Sequence, residues 1–301
     1  MTTNNGLILI DKPRGVTSHD VVARVRKILD ERRVGHAGTL DPMATGLLVL
    51  GIGPATRLLR FAQGETKLYT GTFRLGVHTD SLDAEGQVMF MKPVPRISAE
   101  QMSLVARSMQ GPQLQTPPMV SALKVAGKRL HELARQGVEV EREPRSITVQ
   151  RFEVAATADE TLWDFEVECS VGTYVRVLAS DLAQRLDTVG HLTALRRLRS
   201  GEHDVQHALD LDQLERCVTQ GEHVVSPPLS FVEHLERVQL SVDQERRIRM
   251  GQRIDLDESY QSSEIAAVDE RGVLVAILRP RAEQWKPELV LPVEPGSAQL
   301  G

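Results

Sequence analysis

Cysteine is almost missing from this chain of 301 residues: Cys169 and Cys217 lie far apart, and neither has a Cys-x-x-Cys partner. That excludes a disulfide scaffold or a thiolate metal framework and points to a reduced, cytoplasmic setting. Long apolar runs are also missing. The longest, over 47–52, is far too short to cross a bilayer, so no membrane role is expected. The amino terminus, MTTNNGLILID, has neither the basic segment nor the apolar stretch of a secretory signal. Positive charge is not in excess, the formal net charge being −5. That argues mildly against nucleic-acid binding. Charges further apart than about 8 Å are screened at physiological salt, however, so local patches decide.

Such patches exist. Arg24, Arg26, Lys27, Arg32 and Arg33 form one basic cluster, Lys124, Lys128, Arg129 and Arg135 a second, and Arg196, Arg197 and Arg199 a third. Their placement beside the motif segments described below suggests contacts with phosphates. The charges from Glu202 to Glu233 are mostly acidic.

Hydrophobic periodicity divides the chain. A short buried strand over 6–10 precedes a helix with Val21, Val22, Val25, Ile28 and Leu29 on one face, opened by Thr17 with Asp20 three residues on. Strands follow over 47–52 and 69–75, with a short helix near 55–61 between them, and a turn at 83–86 leads into a strand through Val88 and Phe90. Ser98 with Gln101 caps a helix that ends by Gly111, and 112–118 is extended or irregular. A strand over 121–125 and a helix over 129–136 come next. The alternating segments 147–154 and 162–169 read as paired strands, 174–186 as a helix and 192–199 as a returning strand. Strands interrupted by helices without strict alternation predict an α+β fold with a mixed, largely antiparallel sheet. Ser226-Pro227-Pro228 marks a boundary. The expected domains are 1–230 and a small β-rich module over 235–301, with strand patterns at 264–268 and 273–278.

The most informative segment is GHAGTLDPMATG, residues 35–46. Three glycines and a proline rule out regular structure across it, and glycine permits positive φ or close approach. An ordinary connecting loop has this composition too, yet the segment looks built to present the carboxylate of Asp41. With an ordinary pKa of about 3.9, an aspartate is ionised at neutral pH and can act as a nucleophile without a partner base. No Ser-His-Asp ordering surrounds it. His36 lacks a second histidine at metal-ligand spacing, so no metal is expected.

This segment resembles the catalytic motif of the TruB family of tRNA pseudouridine synthases, and further segments resemble the family's other motifs in the same order. They are DKPRGVTS at 11–18, Lys67-Leu68-Tyr69, Arg74-Leu75-Gly76 with TDSLDAEG at 79–86, PMVSALK at 118–124, GTYVR at 172–176 and LRRL at 195–198. The resemblance covers about residues 6–200. It implies isomerisation of uridine 55 in the T loop of tRNA by base flipping, with Asp41 as nucleophile. Attack on the ribose C1′, addition to C6 of the base and assisted elimination across C1′–C2′ all stay open. It further implies that Tyr69 stacks on the flipped base and handles a proton, that Arg176 pairs with Asp41, and that Tyr174 and Leu195 contact the substrate. His36 would fill the space the uridine leaves, while Lys12 and Asp83 would be accessory. The carboxyl-terminal module would be a reduced PUA-like RNA-binding domain. No metal, organic cofactor or obligate protein partner is implied, and the expected partner is the T-arm of tRNA, bound by a monomer. An RNA-guided homologue would need partner proteins, and this chain lacks a long basic tail. A non-catalytic RNA-binding protein is disfavoured by the intact aspartate, tyrosine and arginine, and an aspartyl phosphotransferase by the absence of a neighbouring acidic metal site in the motif.

Overall fold

The computed structural model describes residues 5–64, 66–119, 124–125, 128–129, 140–256 and 260–293. Strand β1 (Gly6–Lys12) leads into helix α1 (Ser18–Leu29). The Thr17 side chain accepts the Asp20 N–H at 3.1 Å, and the Asp20 carboxylate accepts the Thr17 N–H at 2.8 Å, closing the expected capping box. Strands β2 (Val34–His36), β3 (Thr45–Ile52) and β4 (Thr66–Leu75) follow, then a small hairpin of β5 (Val77–Thr79) and β6 (Val88–Met91). Helix α2 (Ala99–Ser108) precedes β7 (Gly111–Gln115) and the two-residue pair β8 (Lys124–Val125) and β9 (Lys128–Arg129). The long strands β10 (Arg145–Ala156) and β11 (Leu162–Ser170), helix α3 (Val175–Arg185), and strands β12 (Gly190–Ser200) and β13 (His203–Asp204) lead to helix α4 (Leu211–Thr219).

The main sheet runs β1-β3-β12-β4-β11-β10-β7. Within it the β3–β12 neighbours are parallel and the other pairings are antiparallel, which is the mixed, largely antiparallel α+β architecture expected. Helices α2 and α3 bury their apolar faces against Phe73, Phe165, Val167 and Leu192. On the β1–β3 side, Val21, Val25 and Leu29 of α1 and Leu214 of α4 pack on Ile8, Ile10, Leu48 and Leu50.

The carboxyl-terminal part forms a second sheet in the order β14 (Arg237–Gln239), β15 (Ile265–Val268), β16 (Leu274–Arg281) and β17 (Gln284–Val290), with helix α5 (Val242–Arg249) after β14. Val238, Ile248, Val275 and Trp285 make a core of their own. Ala266, Leu274, Ile277 and Leu289 belong to a different cluster, which they share with Leu7, Leu47, Val49 and Leu58. Arg57 also donates to the Val290 carbonyl at 2.7 Å, and Arg60 pairs with Glu264 at 2.7 Å.

The reading of the glycine loop needs correction. Gly35 and His36 belong to β2, which pairs with β3 at Gly35↔Gly51 and His36↔Leu50, so the glycine loop shrinks to 37–44. The expected helix over 129–136 lies outside the described residues except for Arg129, which is in β9; most of the expected 121–125 strand is likewise outside them, 124–125 being β8. Helices α4 and α5 were not expected at all.

The shared cluster has a measurable consequence. Deleting the chain after Leu235 would expose one face of β3, and each large apolar side chain so uncovered costs about 1.5–3 kcal/mol against a usual total of about 5–15 kcal/mol. The truncated protein is expected to lose cooperative thermal unfolding. A truncated form melting at the full-length temperature would show that the amino-terminal sheet stands alone.

Candidate active site

The 37–44 loop is fastened from behind. Gly38 and Gly46 take φ of +95° and +98°, the left-handed region that favours glycine. A Cβ on Gly46 would lie 2.2 Å from the Arg197 carbonyl oxygen, so only glycine allows β3 and β12 to meet there. Ser18 Oγ donates to the Leu40 carbonyl at 3.1 Å and accepts the Leu40 N–H at 2.9 Å. The fully buried Lys12 Nζ donates to the carbonyls of Pro13 (2.9 Å), Val16 (2.7 Å) and Pro42 (3.3 Å). Burial lowers the Lys12 pKa to about 8, and the charge of Asp41 opposes that fall. Both neighbours of Asp41 are therefore clamped, and its carboxylate is aimed by the backbone.

Arg176, in the first turn of α3, meets it. Arg176 Nε lies 3.0 Å from Asp41 Oδ2, the pairing expected from the sequence, and Nη1 lies 3.2 Å from Asp83 Oδ2 and donates to the Ser81 carbonyl at 2.8 Å. Asp83 is fixed in turn by the Ser81 hydroxyl at 2.6 Å and the Glu85 N–H at 3.1 Å. One guanidinium thus serves two carboxylates. The Asp83 side chain is 5% exposed and that of Asp41 37%, so Asp41 is the one a substrate can reach. Burial raises the Asp41 pKa above the ordinary carboxylate value, Arg176 pulls it back, and the like charge of Asp83 adds to the rise.

Asp41 opens into a cavity of about 370 Å³ lined by residues 38–41, Gln63, Lys67, Tyr69, Arg145, residues 171–176 and Leu195. Tyr69 on β4 stands in register with Arg197 on β12, and Leu195 with Gly71. Strand alternation puts Lys67, Tyr69 and Gly71 on one side. Burial raises the Tyr69 pKa, with the neighbouring Arg197 charge opposing. Tyr174 is held through its backbone, its N–H donating to Gln115 Oε1 at 2.8 Å and its carbonyl accepting from Gln115 Nε2 at 3.1 Å. Among the described residues no group of three or more His, Cys, Asp or Glu side chains converges as a metal cradle.

Asp41, Tyr69, Tyr174, Arg176 and Leu195 therefore share one cavity, Asp83 supports it from behind Arg176, and Lys12 supports the loop without lining the cavity. His36 is not part of the cavity wall. Its ring packs edge-on to His19, with centroids 5.5 Å apart, and its buried Nδ1 makes no hydrogen bond. Burial first, then His19, lowers its pKa, so the ring is neutral at physiological pH. The third basic cluster is not free for phosphates as expected. Arg196 grips Asp11 at 2.9 and 2.6 Å, Arg199 pairs with Glu168 at 2.6 Å, and Arg197 is fully buried. In the first cluster, Arg24 is paired with Asp212 and Glu215, whereas Arg32 and Arg33 are exposed. The side chains of the second cluster lie outside the described residues. Sequence reasoning gave no separate part to Ser18, Lys67 or Arg197. Lys67 could have been found from its two-residue spacing to Tyr69, and Arg197 from the same spacing to Leu195.

A clamped carboxylate paired with a buried arginine at the side of a tyrosine-walled cavity, on this mixed sheet, defines a pseudouridine-synthase-type catalytic domain. The fold agrees: a chain of an H/ACA ribonucleoprotein bound to a substrate RNA containing 2′-deoxyuridine superposes with a TM-score of 0.73 at 21% identity, over 97% of this chain and 86% of that one. A chain of a Cbf5-Nop10-Gar1 complex gives 0.70 at 24%, over 98% and 85%. Residues 26–175 match the model of the TruB family pseudouridylate synthase, N-terminal domain. The tRNA pseudouridine synthase B of Rhodococcus jostii is 44% identical over 290 residues, 95% of this chain and 93% of that protein. The protein of the same name from an Arthrobacter species is 40% identical over 309 residues, 99% of each. This chain belongs to the TruB family.

The shared guanidinium predicts the sign of a titration. In Asp83→Asn the like charge beside Asp41 is gone, so the Asp41 pKa falls back toward its ordinary value. Carboxyl carbon NMR should show the Asp41 midpoint at lower pH in the variant than in the parent. An equal or higher midpoint would mean that Asp83 does not repel Asp41.

Proposed function

We propose that this chain isomerises uridine 55 in the T loop of tRNA to pseudouridine, acting on a flipped-out nucleotide with Asp41 as the nucleophile. The observation that carries this reading is the Arg176–Asp41 ion pair at 3.0 Å, opening into the cavity that Tyr69 walls. The names of the relatives supply the substrate class, tRNA.

The reaction breaks the C1′–N1 bond, turns the uracil and joins its C5 to C1′. An ionised carboxylate serves this by attacking C1′, by adding to C6 or by assisting loss of the C2′ proton, and Arg176 keeps Asp41 ionised and oriented in each case. The cavity, about 370 Å³, is within the ordinary range of about 300–1,000 Å³ for small-ligand sites. Extruding a nucleotide costs a few kcal/mol, and stacking on an aromatic ring returns about 1–3 kcal/mol. Tyr69 supplies that ring and its hydroxyl moves a proton, while Tyr174 and Leu195 contact the nucleotide. The neutral His36 stays on the RNA side and fills the place the base leaves. Lys12 and Asp83 act as accessories that hold the loop and Arg176. The protein works as a cytoplasmic monomer on the T-arm, without a metal, organic cofactor or protein partner, and the 235–301 module is a reduced PUA-like domain that adds RNA-binding surface.

Incubation with unmodified tRNA, followed by carbodiimide primer extension, should give a new stop at the T-loop uridine; no stop with folded protein and intact RNA overturns the reading. Asp41→Asn keeps shape and volume, so it should bind tRNA and fail to turn over. Activity within about tenfold of the parent, roughly 1.4 kcal/mol, would remove Asp41 from the nucleophile's role.

Tyr69 separates ring from hydroxyl. Tyr69→Phe should lose at least about 10²-fold in single-turnover rate with binding preserved, and Tyr69→Leu should lose stacking as well. A fully active phenylalanine variant would leave the ring alone with a function.

A further inference from the structure

Two cations, Lys67 in the wall of this cavity and Arg197 buried behind it, stand without a counter-charge. Lys67 is 7% exposed and lines the cavity, and among the described residues its Nζ has neither an ion pair nor a hydrogen bond. Arg197 is fully buried: Nε donates to the Leu47 carbonyl at 2.7 Å and Nη2 to the Gly38 carbonyl at 3.0 Å, the Tyr69 hydroxyl lies against the same guanidinium, and among the described residues no carboxylate meets Nη1. Both face the bare Cα of Gly38. A Cβ built there would lie 2.8 Å from Lys67 Nζ and 3.5 Å from Arg197 Nη1. Cys169, in register with Lys67, offers no compensation, because burial lifts its thiol to about 11 and keeps it neutral. Asp41 is committed to Arg176. Burial and the Arg197 charge accordingly hold Lys67 down at about 8. The Lys67 ammonium opens to the cavity, whereas Arg197 Nη1 is buried behind it. Partly desolvated cations with no carboxylate against them are costly, and a cavity that keeps them is short of an anion.

We propose that Lys67, backed by Arg197, forms an anion-binding subsite of the cavity whose occupant is the phosphodiester flanking the extruded nucleotide. The proposal rests on the function given above. Lys67 and Tyr69 are two residues apart on one face of β4, roughly 6–7 Å at the usual strand rise. That span is comparable with the separation of a base from its own phosphate. A base against Tyr69 and Leu195, with its C1′ toward Asp41, leaves a phosphate as the negative group within reach of Lys67. Gln63, Thr173 and Arg145 also line the cavity, and Arg145 is exposed and adds a positive charge to it.

The test is a charge-neutralisation cycle read in binding. T-arm stem-loops carry either ordinary linkages or a single methylphosphonate, 5′ or 3′ of the target uridine, and are titrated against the parent and Lys67→Met. The parent should lose about tenfold or more in affinity with one of the two neutral linkages, the usual worth of a charge-assisted hydrogen bond. Lys67→Met should bind ordinary RNA about as weakly and be indifferent to that linkage. A variant as sensitive to the linkage as the parent overturns the proposal. So does protection of the parent, but not of the variant, by inorganic phosphate when neither linkage matters, since the subsite would then serve a free anion. Without RNA, Lys67→Met should melt no lower than the parent, because the ammonium it removes is largely desolvated and has no partner among the described residues. A lower melting temperature would show the ammonium satisfied within the free protein and would also overturn the proposal. Failure of the parent to form pseudouridine strikes only the functional reading, because the cycle is measured as affinity.

Discussion

The guanidinium of Arg176 lies between Asp41 and Asp83, two carboxylates that could not both stay ionised in a partly buried site without it. Removing one member of a buried pair costs about 3–5 kcal/mol, because the remaining charge is stranded. The position of that guanidinium depends on three separate parts of the chain. Its helix begins at Tyr174, whose backbone is held on both sides by Gln115 of β7. Its Nη1 is anchored on the Ser81 carbonyl in the turn before β6. Its Nε reaches a loop fixed by Ser18 and Lys12 at the other end of the sheet. A displacement of any of these parts is felt as a change in the charge of Asp41, which makes the electrostatics of the site a property of the whole fold.

Where a local rule governs, the sequence announces the structure. Thr17 with Asp20 and Ser98 with Gln101 close the capping boxes they spell out, and the apolar spacing of α1 places Val21, Val25 and Leu29 in the core. The same signature at Ser241 and Gln244 starts α5, yet within Val242–Arg249 the apolar residues are only Val242 and Ile248, so no helical period shows. The β2 strand escaped because it is only three residues long and two of them, Gly35 and His36, carry little strand propensity; the hydrogen bonds of β3 impose it. Arg197 shows how a charge pattern misleads. Read as one of three basic residues it belongs outside, but on β12 it shares a face with Leu195 and points in. Contact between Arg176 and Asp41 was reachable through family resemblance, whereas the second contact, with Asp83, depends on the fold of the intervening turn.

A net charge of −5 looks unsuited to RNA until the cations are sorted by what they touch. Arg24, Arg196 and Arg199 are neutralised by neighbouring carboxylates, and Arg151 by Glu153 and Glu166. Exposed pairs of this kind contribute about 0–1 kcal/mol each to stability, but they remove those charges from the field an approaching polyanion meets. That field, screened beyond about 8 Å, is set by the cations left without an acidic partner among the described residues, which include Lys67 and Arg145 at the cavity and Arg32 and Arg33 on the surface. Within the cavity the result is a dipole: Lys67 at one end, and at the other the Asp41 carboxylate, whose charge Arg176 must divide with Asp83. A nucleotide has the matching polarity, a phosphate that is always negative and a C1′ that grows positive as its bond to N1 breaks. Under the proposed function, the orientation that satisfies both ends brings the sugar toward Asp41, so the same two charges that admit the nucleotide also orient it, whichever of the three routes the carboxylate follows.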